Sequence, residues 1–190
     1  MSEADQSLEA VIFDGRVKVR RHGPLGMVLL RGDLGDDRFR GAAGGDVPAP
    51  LCWTGGADGG VLWFSPDELL LLLPRNEATE RAAGIGRDLD GVHHLAEDVS
   101  DARAVFTVEG NDVAVRETLA RLTPADVSPD AAPKGTCRRT RLGQVPAALR
   151  LDEGRVDVFV FRSVADYVAA LLAEAASGAP LHLFAATGEG

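Results

Sequence analysis

Lysine is almost missing from this chain: Lys18 and Lys134 are the only two among 20 basic residues, and the rest are arginine. A guanidinium makes planar two-point contacts to carboxylates that an ammonium cannot, so the bias suits protein interfaces. Genomic base composition would produce the same usage. Positive charge is also outweighed, with 29 acidic residues against 20 basic ones and a formal net charge of -9. That balance argues against nucleic acid as the main partner, because phosphate binding needs concentrated positive charge. Cysteine is scarce too. Cys52 and Cys137 are read as free thiols, and they do not stand at metal-binding spacing.

Long apolar runs are absent. The longest leucine run, Leu69 to Leu73, falls far below the roughly twenty residues needed to span a bilayer, so no membrane segment is expected. Met1 to Leu8 is polar and acidic and offers no signal-peptide core, which places the chain in the cytoplasm.

Signatures of catalysis are missing as well: no Gly-x-Ser-x-Gly elbow, no His-Glu-x-x-His and no P-loop. The glycines from Gly55 to Gly60 precede a strand instead of joining a strand to a helix, so the helix terminus that would hold phosphate is lacking. Gly84-Ile85-Gly86 lacks the third glycine of a dinucleotide fingerprint. His93 and His94 are neighbours, face opposite ways in an extended segment, and have no Cys or Glu at ligand spacing. Asp33, Asp36 and Asp37 do not follow the calcium-loop pattern and read as a solvated turn.

What is present is concentrated between Gly135 and Ala176. Alternation in a strand from Cys137 to Leu142 puts Arg139 and Arg141 on one face and Arg138 and Thr140 on the other. Val145 to Leu151 reads as an apolar strand, with Pro146 pointing to an edge or a bulge. Asp152-Glu153-Gly154 makes a turn into Val156 to Phe161, a strand buried on both sides beyond Asp157. At Ser163 the period becomes helical, with Ser163 and Asp166 as a capping box and Val164, Val168, Leu171, Leu172 and Ala175 on one face. Cys137 reads as a small buried residue, Ser163 as a cap, and Tyr167, the single tyrosine, as a core or interface residue of that helix.

Upstream, residues 1–25 read as an arm, with a small apolar patch at Val11 to Phe13 and a basic cluster from Arg16 to His22. It is either a solvated end or a segment that lies on a partner. Met27 to Leu30, Val61 to Phe64 and Leu69 to Leu73 are strands, the last one central. Gly32 to Pro50 is loop-rich. Asn76 caps a helix carrying Ala78, Ala82, Ile85 and Leu89 on one face. Ala104 to Val108 is a strand, and Asn111 or Asp112 caps a helix presenting Val115, Leu119 and Leu122. The order predicts an α+β fold of two small lobes of antiparallel sheet packed with helices, at 26–98 and 99–178, followed by a tail at 179–190. Within the tail, Leu181 to Phe184 is expected to dock and the last residues to fray.

The run Thr140-Arg141-Leu142-Gly143-Gln144-Val145-Pro146, followed by Phe161-Arg162-Ser163-Val164-Ala165-Asp166-Tyr167, resembles the gamma subunit of bacterial heterotetrameric sarcosine oxidase. Leu29 to Leu34 is similar to the family's first strand and turn, Ser65 to Leu71 to its segment in which Pro-Asp-Glu leads into an apolar strand, and Asp98 to Ala104 to its central segment. The resemblance runs from about Gly26 to Ala176. It implies the fold of the folate-binding lobes of aminomethyltransferase. It also implies a complex with alpha, beta and delta subunits that oxidises sarcosine and passes the one-carbon unit to tetrahydrofolate. FAD, FMN, NAD, tetrahydrofolate and zinc would belong to those partner subunits, with none in this chain and no catalytic, cofactor-binding or metal residue of its own. Arg139, Arg141, Arg162 and Tyr167 are then the candidates for the partner interface. Two other readings stand beside it. One is a stand-alone folate-dependent aminomethyltransferase. The other is an iron-sulfur maintenance factor, whose Lys-Gly-Cys motif is approached by Lys134-Gly135-Thr136-Cys137 with an inserted threonine.

Overall fold

The computed structural model describes residues 10–56 and 59–184. They form two compact units: a continuous one, Pro24–Ala102, and a split one made of residues 10–23 and 103–184. Each is an antiparallel sheet with helices, the expected α+β class. The continuous unit thus runs slightly beyond the expected 26–98.

In the continuous unit the elements are β3 (Leu25–Gly32), α1 (Asp37–Ala43), β4 (Trp53–Gly56), β5 (Gly59–Ser65), β6 (Glu68–Pro74), α2 (Ala78–Asp88) and β7 (His94–Asp98), with the sheet ordered β4-β5-β6-β3-β7. The leucine run is therefore the middle strand. Val28 pairs with Leu71 and Leu30 with Leu69, so these side chains share a face and form a core with Phe39, Ala78, Ile85 and Leu89. The hairpin β4–β5 needs its glycines: Gly55 and Gly60 face each other at φ of 112° and 137°, and a Cβ on Gly60 would stand 2.0 Å from the Thr54 carbonyl oxygen.

Two local expectations fail here for identifiable reasons. The segment read as loop from Gly32 to Pro50 holds the two-turn α1, because Phe39 is fully buried and Asp36 accepts a hydrogen bond from the Phe39 amide at 2.9 Å. Asp36 is thus a helix cap, while Asp33 accepts from the Gly35 amide at 2.8 Å. Asn76 does not cap α2. Residues Arg75–Glu77 form a 3-10 turn held by tertiary contacts, with Arg75 donating to Asp101 at 2.8 Å and Thr79 to Asp98 at 2.8 Å.

The split unit contains β1 (Ala10–Asp14), β2 (Val17–Arg21), β8 (Arg103–Gly110), α3 (Asp112–Ala120), β9 (Cys137–Leu142), β10 (Val145–Asp152), β11 (Arg155–Phe161) and α4 (Ala165–Ser177), in sheet order β1-β2-β8-β11-β10-β9. The reading of residues 1–25 as an arm is corrected: Ala10–Arg21 is a hairpin whose second strand pairs with β8. Val17 and Val19 are buried in the core, and the basic cluster is paired, Arg16 with Glu117 at 3.0 Å and Arg20 with Glu109 at 2.9 Å. Short strands with intervening arginines gave little apolar alternation to read. Residues 1–9 and 185–190, including the expected frayed end, lie outside the described residues.

The core on the helix side gathers Val19, Phe106, Val108, Leu149, Val158 and Val160 with Val115 and Leu119 of α3 and Val168 and Leu172 of α4. Asn111 caps α3 as expected, accepting from the Val113 and Ala114 amides at 3.1 and 3.4 Å. Ser163 is no cap. Arg162–Val164 form a 3-10 turn without a side-chain cap, and Asp166 turns toward Arg21 at 3.7 Å. Pro146 is in an interior strand, yet pairing with β11 begins only at Ala147, so the missing N–H falls where just β9 is alongside.

Candidate partner interface

Alternation along β9 places the arginines as the sequence predicts. Arg139 and Arg141 are exposed on one face, while on the other Arg138 donates to the carbonyls of Asp126 and Ala131 at 3.2 and 3.0 Å and Thr140 meets the Thr123 hydroxyl at 2.9 Å. Because α3 and α4 cover the Arg138 face, Arg139 and Arg141 point away from the helices.

Antiparallel pairing carries that face across the sheet in rows. Arg141 is opposite Pro146 on β10, and Phe161 is opposite Arg103 on β8, while the β10–β11 register ends between them at Ala147 and Val160. The Arg103 guanidinium lies 5.2 Å from the Phe161 ring centroid, within cation–π range. Phe161 is 47% exposed in spite of its size. Arg162 follows it in the chain and is also exposed. Sequence reasoning missed Arg103 and Phe161, and assigned Phe161 to a buried strand. The strand's alternation was legible, but Phe159 is 1% exposed while Phe161, two residues further along the same face, is 47% exposed.

The next row, Arg139, Ala148, Phe159 and Val105, is apolar and buried beyond the arginine. The row after it is ionic. Asp157 is 2% exposed and accepts from Thr107 Oγ1 at 2.8 Å, from Arg150 Nε and Nη2 at 2.9 and 2.6 Å, and from Arg155 Nε at 3.1 Å. Arg150 is itself only 4% exposed, so the pair is held by several charge-assisted hydrogen bonds away from water. The sequence reading placed two-sided burial only beyond Asp157, whereas Asp157 itself is buried. The Asp152–Gly154 turn fixes Arg150 opposite Asp157, and opposite charges at mirror positions about a turn were the available signal.

Tyr167 is not with these residues. It stands on α4, on the helix side of the sheet, 46% exposed, with its hydroxyl 3.1 Å from where a Cβ on Gly143 would lie. At φ of 55°, the β9–β10 turn takes glycine there on conformational grounds, and Tyr167 and Leu171 close over it. The four candidates therefore divide: Arg139 and Arg141 on one face, Arg162 at the strand end, and Tyr167 on the other side.

A buried carboxylate anchors the segment after α4. Glu117, 2% exposed on α3, accepts from the Leu181 and Leu183 amides at 3.1 Å each and from Arg16 at 3.0 Å. Burial pushes its carboxyl up, but the bonds from Leu181 N, Arg16 and Leu183 N outweigh that and hold it below the usual glutamate value.

The continuous unit has an open cleft of about 560 Å³ lined by Arg31, Asp33, Asp67, His93, His94 and Leu95 among others. Its charges are largely satisfied within it. Arg31 donates to Asp67 at 2.6 Å, and Asp67 is held below the usual carboxylate range by hydrogen bonds from the Ser65 hydroxyl and then from Arg31. His94 Nδ1 lies 2.8 Å from the Val92 carbonyl oxygen. Among the described residues no three His, Cys, Asp or Glu side chains gather as a metal site, and no helix is long and apolar enough to cross a membrane. Cys137 is buried.

Two antiparallel sheet-and-helix units make an α+β fold that solved structures share. The chain matches glycine cleavage system aminomethyltransferase T from Bartonella henselae with a TM-score of 0.55 at 9% identity, over 80% of this chain and 44% of that one, so it spans less than half of that protein. It matches a chain of the heterotetrameric sarcosine oxidase from Corynebacterium sp. U-96, solved in complex with pyrrole 2-carboxylate, with a TM-score of 0.76 at 24% identity, over 92% of this chain and 90% of that one. A comparison with curated proteins gives no match. Residues 31–178 match the model of the sarcosine oxidase, gamma subunit family, and the chain belongs to that family.

Proposed function

We propose that this chain is a non-catalytic gamma subunit that assembles with alpha, beta and delta subunits into a cytoplasmic heterotetrameric sarcosine oxidase. The reaction of the whole complex is sarcosine, O2 and tetrahydrofolate to glycine, hydrogen peroxide and methylene-tetrahydrofolate. FAD, FMN, NAD, tetrahydrofolate and zinc are assigned to the partner subunits, and this chain contributes buried surface and packing on alpha. The family match over residues 31–178 carries the reading. The exposed arginines Arg139, Arg141 and Arg162, in a chain of net charge -9, support a surface made for another polypeptide.

The test is to isolate the protein from its native cell under mild conditions and identify what accompanies it. Stoichiometric recovery with a flavin-containing oxidase subunit is the expected result. Sarcosine turnover by the purified chain alone, or micromolar binding of tetrahydrofolate to it, would replace the reading with a stand-alone folate enzyme.

A further inference from the structure

Negative charge is not spread evenly over this chain. Fourteen acidic residues against six basic ones fall within Pro24–Ala102, so the continuous unit holds -8 of the formal -9. Its sheet ends in β7, which has β3 on one side and no strand on the other. The ladder fixes which backbone groups of β7 are spent. Gly32 donates to the Asp67 carbonyl just before β6, and the Val99 amide donates to the Met27 carbonyl at 2.8 Å, so Met27, Leu29 and Arg31 turn their backbone groups toward β7. Leu95 and Glu97 are therefore bonded inward, while His94, Ala96 and Asp98 aim their N–H and C=O groups off the open edge. The side chains of Leu95 and Glu97 stand on the face away from α1 and α2, and Leu95 is 41% exposed. Carboxylates outnumber guanidiniums at both ends of this edge. Arg75 is shared by Asp98 and Asp101, Arg31 is shared by Asp67 and Glu68, and the exposed Glu97 has no ion pair among the described residues.

We propose that the open edge of β7 takes an extended, basic segment of a partner polypeptide as a sixth strand of the sheet. The proposal rests on the gamma-subunit reading and adds to it which edge is used and what the partner must carry. Backbone bonds to His94, Ala96 and Asp98 set the register of the added strand. Its alternate side chains fall on the Leu95 face, where an apolar one covers Leu95 and a lysine or arginine meets Glu97. The cleft lined by Arg31, Asp33 and Asp67 also takes in His93, His94 and Leu95, so it opens at the start of the same edge. There Asp33 spends Oδ1 on the Gly35 amide and keeps Oδ2 for a further cation of the partner. Charge decides the occupant. A charge on an edge strand ordinarily wards off pairing, and Glu97 wards off acidic strands while admitting a basic one. A second copy of this chain brings the same acidic unit and is repelled, as is nucleic acid.

The experiment titrates the purified full-length chain into the co-expressed remaining subunits of the oxidase, at low and high salt. Wild type is compared with Leu95→Asp, with Glu97→Arg, and with Ala96→Pro, which deletes an outward N–H that the β3 ladder does not use. Each variant should lose about tenfold in affinity, and wild-type binding should weaken as salt rises. Amide exchange reads the added strand directly. Ala96 and Asp98 should exchange fast in the free chain and slowly in the complex, whereas Leu95 and Glu97 should be slow in both. Circular dichroism confirms folding, and Leu95→Asp with Glu97→Arg carries the comparison if Ala96→Pro does not fold. If wild type binds but the variants stay within twofold of it, or Ala96 and Asp98 gain no protection, the edge proposal is overturned while the gamma-subunit reading stands. No binding by wild type to the other subunits overturns both. Self-association of wild type that Ala96→Pro abolishes gives the edge to a second copy and also overturns the proposal.

Discussion

Replacing Asp157 by alanine should be among the most damaging single changes in this protein, and the reason is electrostatic. Asp157 and Arg150 have side chains 3% and 4% exposed and meet at 2.6 Å, with Thr107 and Arg155 adding donors to the same carboxylate. Removing the carboxylate takes away the two charge-assisted bonds that Arg150 makes to it in a site closed to water, which costs about 3–5 kcal/mol. With a urea slope of about 2 kcal/mol/M, the unfolding midpoint should fall by roughly 2 M. Far-UV circular dichroism is the right probe, because Trp53 and Trp63 both belong to the continuous unit and their fluorescence would report on that unit instead. The double variant Arg150→Met with Asp157→Leu removes both charges and should recover most of the loss, to within about 1–2 kcal/mol of wild type. A cost below about 1 kcal/mol for Asp157→Ala, or a double variant as unstable as the two single effects added, would refute the argument that the pair is buried and mutually dependent.

Two further outcomes follow from the same geometry. Glu117 lies below its ordinary value when folded, so its contribution is fully present above the unfolded value and disappears as pH falls through the folded one. The protection factors of the Leu181 and Leu183 amides, with the intrinsic exchange rate at each pH divided out, should therefore stay level from about pH 8 to about pH 6 and fall only in acid, with Glu117→Gln removing that dependence; a drop in protection near neutrality would contradict it. Asn111→Ala removes the acceptor for two amides at the start of α3 and should cost about 1 kcal/mol in thermal or urea unfolding, whereas Asn111→Asp should keep the cap and most of the stability.

Much of this protein was legible from local chemistry. Period-two alternation located β9 and separated Arg139 and Arg141 from Arg138 and Thr140. The leucine run announced a central strand, the Asp152–Gly154 turn joined β10 to β11, and Asn111 announced α3. These features depend on neighbours a few residues apart, and pleating, turn geometry and capping act at that range. Ordered moderate motifs also carried the family resemblance, now matched over residues 31–178.

What the local pattern did not contain was decided by contacts between distant segments. Nothing in Ala10–Arg21 says that its second strand will pair with β8, 85 to 93 residues later, because strand pairing uses backbone groups common to every sequence. Phe39 turned a glycine-rich stretch into α1 only by finding a closed core. Asp157 became a buried ion and Phe161 an exposed ring on one face of one strand. Arg141 meets Pro146, and Arg103 meets Phe161, only because β9 is in register with β10 and β8 with β11. Side-chain identity was written in the chain, but adjacency came from the tertiary fold, which alone sets which charges lose their water and which keep it.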